Sequence, residues 1–473
     1  YVNGSTGKDF LGYARGKSDY LGFDDGSRDH FPKELLIFNN YNYSPNSPWA
    51  VSNVEGVVPI TPDDIAAQNK RIGGLERIGT RVYKTLPGQN FQLSLGKNYN
   101  FNAHRFGFIG SVSYRNEQQI DDISYFGRGE WEKLYNNRYI LETGELEGNT
   151  TSNQYNFTSN VSGLLNLGYV HKNHKVSVRN FYSRVFNNQF SRIEGVGMDI
   201  GTPENPAIRE YDRPKFINLL QHRINGEHQF GPIKWDWNVS LNTLNNKEQD
   251  AVEAWVVKTK TINGSTYNIL PSGLTNPGMG TFNRGLYDYK ETNRIAETAL
   301  SYGFNVKEHS QLVKIGYQFL KRVGEYDWMV LPIGTNSQTS KFGFVPVYDW
   351  NSYLEFKDPF TDLMYYPAAY SNNGYKGQNV NQAYYAMMEN KISDWFTLSW
   401  GLRSEYYKYD RIEDGTNDLR IIDAINRGEK KSFVDSKTGR LVSANITPET
   451  QEITWRHLPS ASLTLRPFLN FNL

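Results

Sequence analysis

Residues 235–243 read WDWNVSLNT, and every second residue of this stretch is apolar. Successive side chains of a β-strand point to opposite faces of a sheet, so a period of two predicts a strand with one apolar and one polar face. The same alternation recurs at residues 106–114, 298–306, 313–319 and 396–402. The polar positions carry Gly, Ser, Asn and charged residues, a mixture typical of a face that lines water or a second body of protein.

Eleven complete strands are predicted from this pattern. We place them at residues 89–98, 105–115, 159–170, 175–185, 218–229, 234–244, 295–306, 311–322, 381–391, 395–408 and 455–465, with a twelfth beginning at 470–473. An unpaired strand edge in lipid leaves backbone donors and acceptors without partners, so a barrel cannot end inside a strand. The pattern therefore predicts that the chain is a fragment of a longer polypeptide.

The connectors between these strands alternate between short and long. The short ones are predicted at 99–104, 171–174, 230–233, 307–310, 391–394 and 466–468, and the long ones near 116–158, 187–217, 245–294, 323–380 and 409–454. Transmembrane barrels have tight turns at one rim and long extracellular loops at the other. Aromatic residues near strand ends, such as Trp235 and Trp395, fit a girdle at the membrane interface, although strand propensity alone also favours aromatic residues there.

The fold class indicated is all-β, a transmembrane antiparallel β-barrel with long extracellular loops, of which this chain supplies about half. A soluble β-sandwich is the alternative, because its strands also alternate. Residues 1–88 are interpreted as the first extracellular segment, with a short helix near 61–71, and residues 89–473 as the hairpins of the barrel.

The composition excludes several other classes of protein. Lys and Arg total 51 and Asp and Glu total 50 among 473 residues, so the net charge of +1 gives no bulk attraction to nucleic acid. The absence of Cys excludes disulfide scaffolds and thiolate metal sites. Mean hydropathy is −0.63, which is compatible with a barrel because only alternate strand residues face lipid.

Residues 19–32 read DYLGFDDGSRDHFP, and a predicted helix begins at Thr61. The stretch LGFDDGSR, followed by Pro32, resembles a segment early in the barrel of TonB-dependent receptors from Bacteroidetes. The hairpin rhythm of that family agrees with almost the whole chain. The residues that carry the resemblance are Gly22, Phe23, Asp24, Asp25, Gly26, Ser27 and Arg28.

The resemblance implies an outer-membrane receptor that imports a scarce, bulky nutrient, such as a siderophore, cobalamin, a glycan or a peptide. In this family a barrel of about 22 strands surrounds an N-terminal plug, and TonB contacts a short box ahead of that plug. Neither the plug nor the box is expected in this chain. The implied partners are outer-membrane lipid, TonB, the nutrient, and a surface lipoprotein or other envelope protein, and the implied location is the bacterial outer membrane.

In such receptors the extracellular loops and the plug apex capture the ligand. Aromatic side chains give a large contact area with few rotatable bonds. The alternative is that each loop aromatic packs one loop against another. The candidate contact residues are Trp131, Trp255, Trp328, Tyr348, Trp350, Tyr365 and Tyr366.

No stretch of the sequence predicts a catalytic site, a metal site or a cofactor. Residues 12–18, GYARGKS, are one residue short of a phosphate-binding loop and lack the flanking strand and helix. His171 and His174 are spaced like metal ligands, but they flank a tight turn and have no third ligand nearby in the sequence. The DDG cluster at 24–26 is typical of a turn more than of a calcium site.

Three functions stand beside energised uptake as alternatives. They are a passive porin, a membrane-embedded adhesin or assembly partner, and a soluble sugar-binding sandwich. Loops of about 30 to 60 residues are longer than a simple pore needs, so they favour ligand capture.

Overall fold

The computed structural model describes residues 6–12, 81–123, 151–195, 207–261, 264–269, 272–273, 282–335, 345–346, 364–365, 372–414, 432–434, 441–443 and 450–466. These residues are almost entirely β-strand. No helix among them is long and apolar enough to cross a membrane.

The strands of the described residues run in chain order from β1 to β19. They are β1 (Asp9–Gly12), β2 (Arg81–Lys84), β3 (Gln89–Phe101), β4 (His104–Ile123), β5 (Thr151–His171), β6 (His174–Gly195), β7 (Ala207–Phe230), β8 (Ile233–Thr261), β9 (Gly264–Ile269), β10 (Ser272–Gly273), β11 (Phe282–Val306), β12 (His309–Thr335), β13 (Val345–Pro346), β14 (Met364–Tyr365), β15 (Asn372–Ser393), β16 (Phe396–Asp414), β17 (Ser432–Val434), β18 (Leu441–Ser443) and β19 (Thr450–Leu465).

Eleven strands form a single antiparallel sheet in the order β19-β16-β15-β12-β11-β8-β7-β6-β5-β4-β3. Each strand in this order pairs with the next long strand along the chain, so the sheet is a meander. Within the described residues its edges, β3 and β19, do not pair with each other, and the sheet is open. Short strands extend it locally: β9 pairs with β8, β13 with β9, and β10 and β14 with β12.

The eleven predicted strands are confirmed in position and order, but the strands of the sheet are longer than predicted. The predicted long connectors are too long, because residues 116–123 belong to β4 and residues 151–158 to β5. In residues 116–123 polar residues occupy both faces, so the period of two disappears from the sequence while backbone pairing continues. In residues 151–158 only Tyr155 and Phe157 keep that period. The predicted helix near 61–71, the motif at 22–28 and the strand at 470–473 lie outside the described residues.

Five of the six predicted short connectors are two-residue turns. Four of these turns begin with a residue of positive φ, namely Asn102 (51°), Lys172 (49°), Gly231 (60°) and Lys307 (53°). Positive φ at this position is the feature of the primed turns, whose twist matches that of the flanking strands. The fifth turn consists of Asp394 and Trp395, and the sixth predicted connector lies outside the described residues beyond Arg466.

The register of the sheet brings the apolar positions of all eleven strands onto one face, which we call the apolar face. On β11 and β12, for example, Leu300 pairs with Ile315. The opposite, polar face carries the intervening residues, such as Glu297 paired with Gln318. The apolar face includes Leu93, Val112, Leu165, Val178, Ile224, Val239, Leu300, Ile315, Ala386, Trp400 and Leu463.

Burial differs between the two ends of the strands. We call residues within about eleven positions of the two-residue turns the turn-proximal half, and the remainder of each strand the distal half. In the turn-proximal half the large apolar side chains are exposed, with Leu93 at 60%, Val112 at 53%, Val239 at 52% and Ile315 at 51%. The buried aromatic residues of the sheet lie in the distal half: Tyr155, Phe157, Phe186, Phe190 and Phe216.

The distal core is an aromatic cluster that spans β5, β6 and β7. The rings of Phe186 and Phe216 are 4.6 Å apart, and those of Phe157 and Phe186 meet edge to face at 5.9 Å. The N-terminal strand β1 adds Phe10, whose ring lies 5.3 Å from that of Tyr155. Rings at these separations gain packing energy beyond the burial of apolar area.

A buried ion pair fixes β8 against β11 in the distal half. The Nε and Nη2 atoms of Arg284 each donate to a carboxylate oxygen of Asp250 at 2.7 Å, and both side chains are fully buried. The β8–β11 register shifts between Gly285 and Leu286, and Asp250 adopts a φ of 59° at this irregularity. The two parallel hydrogen bonds of this pair are directional, so they favour the observed register of β8 and β11 at the bulge.

The turns offer a direct test of backbone conformation. Gly231→Ala should lower the free energy of unfolding by about 1 kcal/mol, because an L-residue is strained at positive φ. An added Cβ at Gly231 has no atom within 4 Å, so the effect is free of steric clash. Lys307→Gly should raise stability by a similar amount. Urea unfolding followed by tryptophan fluorescence measures both, and equal shifts in the same direction would contradict this account.

Candidate functional site

The polar face carries a hydrogen-bonded network that crosses the sheet from β7 to β16. Arg223 Nε donates to Asn238 Oδ1 at 2.6 Å, and Asn238 Nδ2 donates to Glu297 Oε2 at 3.3 Å. Gln318 Nε2 donates to Glu297 Oε1 at 3.0 Å, while its own Oε1 accepts from Arg403 Nη2 at 2.9 Å. Glu297 is therefore the acceptor at the centre of the network, held from both sides.

A cavity of about 820 Å³ lies over this network. At its turn-proximal end Lys234 Nζ is 3.0 Å from Asp236 Oδ1 and 3.9 Å from Glu227 Oε2. At its other side Arg403 pairs with Glu405 at 2.5 Å. The cavity wall therefore carries both signs of charge, and it suits a ligand that is polar and hydrogen-bonding more than one with a single strong charge.

A second pocket of about 340 Å³ lies on the same face in the distal half. Three tyrosines line it, Tyr287, Tyr289 and Tyr326, together with Asn246, Arg213 and Glu248. The register explains the cluster, because Tyr289 pairs with Tyr326 and Tyr287 pairs with Glu248.

The polar groups of this pocket are partly paired. Arg213 Nε lies 3.8 Å from Glu248 Oε2, a distance that leaves the guanidinium able to bind a further acceptor. Burial raises the pKa of the Tyr287 hydroxyl, which therefore stays protonated as a donor at neutral pH. Aromatic faces beside fixed donors and acceptors are the usual make-up of a small-molecule site.

Glu291 supports the pocket from the turn-proximal side. Its carboxylate accepts hydrogen bonds from Tyr289 Oη at 2.5 Å and from Asn293 Nδ2 at 2.6 Å. Burial disfavours its charged form, but these hydrogen bonds and the charge of Arg322 outweigh burial and lower the pKa of Glu291. A depressed carboxyl pKa contributes stability above the unfolded-state pKa, and that contribution is lost as the pH falls through the folded-state pKa.

The structure places three of the seven predicted contact residues on strands. Trp255 lies on β8 in register with Arg209, Trp328 lies on β12 in register with Tyr287, and Tyr365 lies on β14. The register therefore brings Trp328 next to the tyrosine pocket, and it does not bring Trp255 there. Trp131, Tyr348, Trp350 and Tyr366 lie outside the described residues, as do the motif residues 22–28.

Sequence reasoning misses the tyrosine pocket because its tyrosines fall in the predicted long connectors 245–294 and 323–380. A signal was present, since Tyr287-Asp288-Tyr289 and Tyr326-Asp327-Trp328 repeat an aromatic residue at every second position. The two triplets pair residue for residue across β11 and β12. Among the residues that the structure describes, no group of three His, Cys, Asp or Glu side chains could hold a metal ion.

Comparison with protein-family models, with curated proteins and with solved structures finds no match to this chain.

The central acceptor of the network can be tested by removing its charge. Glu297→Gln leaves one oxygen for two donors, so the free energy of unfolding should fall by about 1 to 3 kcal/mol. The matched control is Glu308→Gln, a change of the same type at an exposed turn. Urea unfolding should separate the two variants, and equal stability of both would show that the network does not hold β8, β11 and β12 together.

Proposed function

We propose that the eleven-stranded sheet is part of a transmembrane β-barrel in the bacterial outer membrane, and that the protein imports a bulky nutrient. The observation that carries the proposal is the exposed apolar band next to the two-residue turns. On β11, the six positions of the apolar face from Ala296 to Val306 carry no charged residue, and Arg294 lies just beyond them. On β12 the matching positions end at Lys321, the partner of Arg294.

The height of this band suits a bilayer. A tilted transmembrane strand needs about 9 to 11 residues to cross the hydrocarbon layer. The stretch from Ala296 to Val306 has this length, and cations at its distal limit can reach the headgroups with their charged ends. A soluble protein rarely exposes contiguous apolar surface beyond a few hundred Å², whereas this band extends over eleven strands.

The sandwich alternative is less well supported by the packing. A sandwich buries the apolar face of each sheet against a second sheet about 10 Å away. Leu300 is 45% exposed, Trp400 50% and Leu463 50%. Closure into a barrel would pair the open edges at β3 and β19, which lipid requires of every backbone donor and acceptor.

The distal half supports ligand capture over passive conduction. A pore needs a polar lining, which the polar face supplies, but it does not need a tyrosine pocket on strands that continue beyond the apolar band. The resemblance of residues 19–32 to TonB-dependent receptors of Bacteroidetes supports energised import, with TonB and an envelope lipoprotein as proposed partners. The candidate cargo classes are a siderophore, cobalamin, a glycan and a peptide.

Lipid contact can be measured with brominated phosphatidylcholine, which quenches tryptophan at short range. The native protein in such vesicles should be strongly quenched, and Trp400→Phe should reduce the quenching because Trp400 is half-exposed on the apolar face. Trp328→Phe is the control, since residue 328 lies far beyond the band. A protein that stays soluble without detergent and shows no quenching would refute membrane insertion.

Import can be tested by deleting the gene and supplying ferric siderophores, cobalamin, oligosaccharides or peptides, each as the sole source of the nutrient that it provides. Uptake of one class should be lost, and calorimetry with that compound should show about a tenfold or greater loss of affinity when Tyr287, Tyr289 and Tyr326 are changed together to Ala. The triple change to Phe keeps the rings and should retain most of the affinity. Binding to surfaces with no uptake defect would favour an adhesin.

A further inference from the structure

Four histidines form a row at the turn-proximal end of the apolar face. His104, His171, His174 and His228 are successive cross-strand partners on β4, β5, β6 and β7, and Trp235 on β8 continues the line. The rings of His104 and His171 stack at 4.1 Å, and those of His228 and Trp235 lie 5.2 Å apart. Half of the eight histidines of the chain are in this histidine row.

The hydrogen bonds of the row fix the direction of its donors. Trp237 Nε1 lies 3.0 Å from His228 Nε2, and because an indole nitrogen only donates, His228 Nε2 is the acceptor. The neutral His228 ring therefore carries its proton on Nδ1, which lies 3.3 Å from His174 Nδ1 and donates to it. His174 must then carry its own proton on Nε2.

This series of hydrogen bonds ends at His174 Nε2, whose N–H is not accepted by any described residue. Within the described part of the chain, the one hydrogen bond of the His174 side chain is the contact with His228. Gly226 permits the arrangement, because a Cβ there would lie 2.4 Å from Trp237 Nε1 and 2.8 Å from His228 Nε2. The sheet thus holds a polarised N–H donor, from His174 Nε2, at the edge of its apolar face.

A cation lies two positions before this donor in the chain. Lys172 begins the two-residue turn that leads into His174, it is exposed, and it forms no ion pair with any described residue. The turn between β11 and β12 has the same pattern, with Lys307 followed by His309, but Glu308 takes the place of Asn173. Among the described residues no histidine row surrounds that second turn, so it is an internal comparison for the first.

An apolar groove leads away from the row. It has a volume of about 480 Å³ and is lined by Trp235, Leu300, Ile315, Tyr384 and Leu402 over a floor of Ala386 and Gly316. Trp235 belongs to both features, since it lines the groove and lies beside His228. Two strand spacings, roughly 10 Å, separate β8 from β6.

We propose that the histidine row and Lys172 bind the phosphodiester of a membrane phospholipid, with one acyl chain of that lipid in the apolar groove. A phosphate oxygen accepts from His174 Nε2, the ammonium of Lys172 balances its charge, and the chain follows the exposed apolar side chains away from the turns. The site rests on the proposed insertion of the apolar face in a membrane. The site would hold one phospholipid at the turn-proximal end of the apolar face.

The test measures phosphatidylglycerol binding to the detergent-solubilised protein by native mass spectrometry. The variant Lys172→Gln with His174→Phe removes the charge and the donor while keeping an aromatic ring, and it should weaken binding about tenfold. The matched control, Lys307→Gln with His309→Phe, should bind like the unmodified protein. Diacylglycerol with the same acyl chains lacks the phosphate and should bind weakly to all three.

Each other outcome overturns the site. Equal binding of phosphatidylglycerol and diacylglycerol would show that the histidine row does not recognise phosphate. Equal losses of lipid affinity in the two double variants would show that a lysine and a histidine at any of these turns suffice. Displacement of the lipid by millimolar inorganic phosphate would assign the row to free phosphate instead. If brominated lipid quenches the tryptophans but the lipid-binding measurements do not give the expected differences, the membrane proposal stands and the lipid site alone is wrong.

Discussion

The backbone hydrogen-bond ladder between successive hairpins is the constraint on which the rest of the structure depends. A two-residue turn leaves no slack, so each turn sets the register of the two strands that it joins. A shift of one residue would send every side chain to the opposite face. Because five such turns recur along the meander, apolar residues as far apart in sequence as Leu93 and Leu463 share one face.

From this register follows the contrast between the two halves of the strands. In the distal half, aromatic rings pack around Phe186 and the ion pair of Asp250 and Arg284 is buried, as in the core of a soluble domain. In the turn-proximal half, leucine and valine side chains of the same strands are exposed. The two halves therefore differ in how far their apolar side chains are exposed. The boundary between them lies near Arg294 and Lys321.

Sequence reasoning recovered what depends on local pattern. The alternation in residues 235–243 is real in the structure, and turn positions such as Lys307 follow from where alternation stops. It failed where pairing continued without alternation, as in residues 116–123. It also could not join Gln318 to Arg403, because their contact is made across 85 positions of sequence and depends on three strands in register.

The histidine row shows what strand register reveals beyond the types of the residues. The sequence alone favours a solvated turn for His171 and His174, although their spacing is also that of metal ligands. Cross-strand pairing places His228 beside His174, and the indole N–H of Trp237 then determines which nitrogen of each ring holds the proton. The series of hydrogen bonds leaves the Nε2–H of His174, at the edge of the apolar face, as a donor that no described residue accepts. The proposed phospholipid would supply that acceptor.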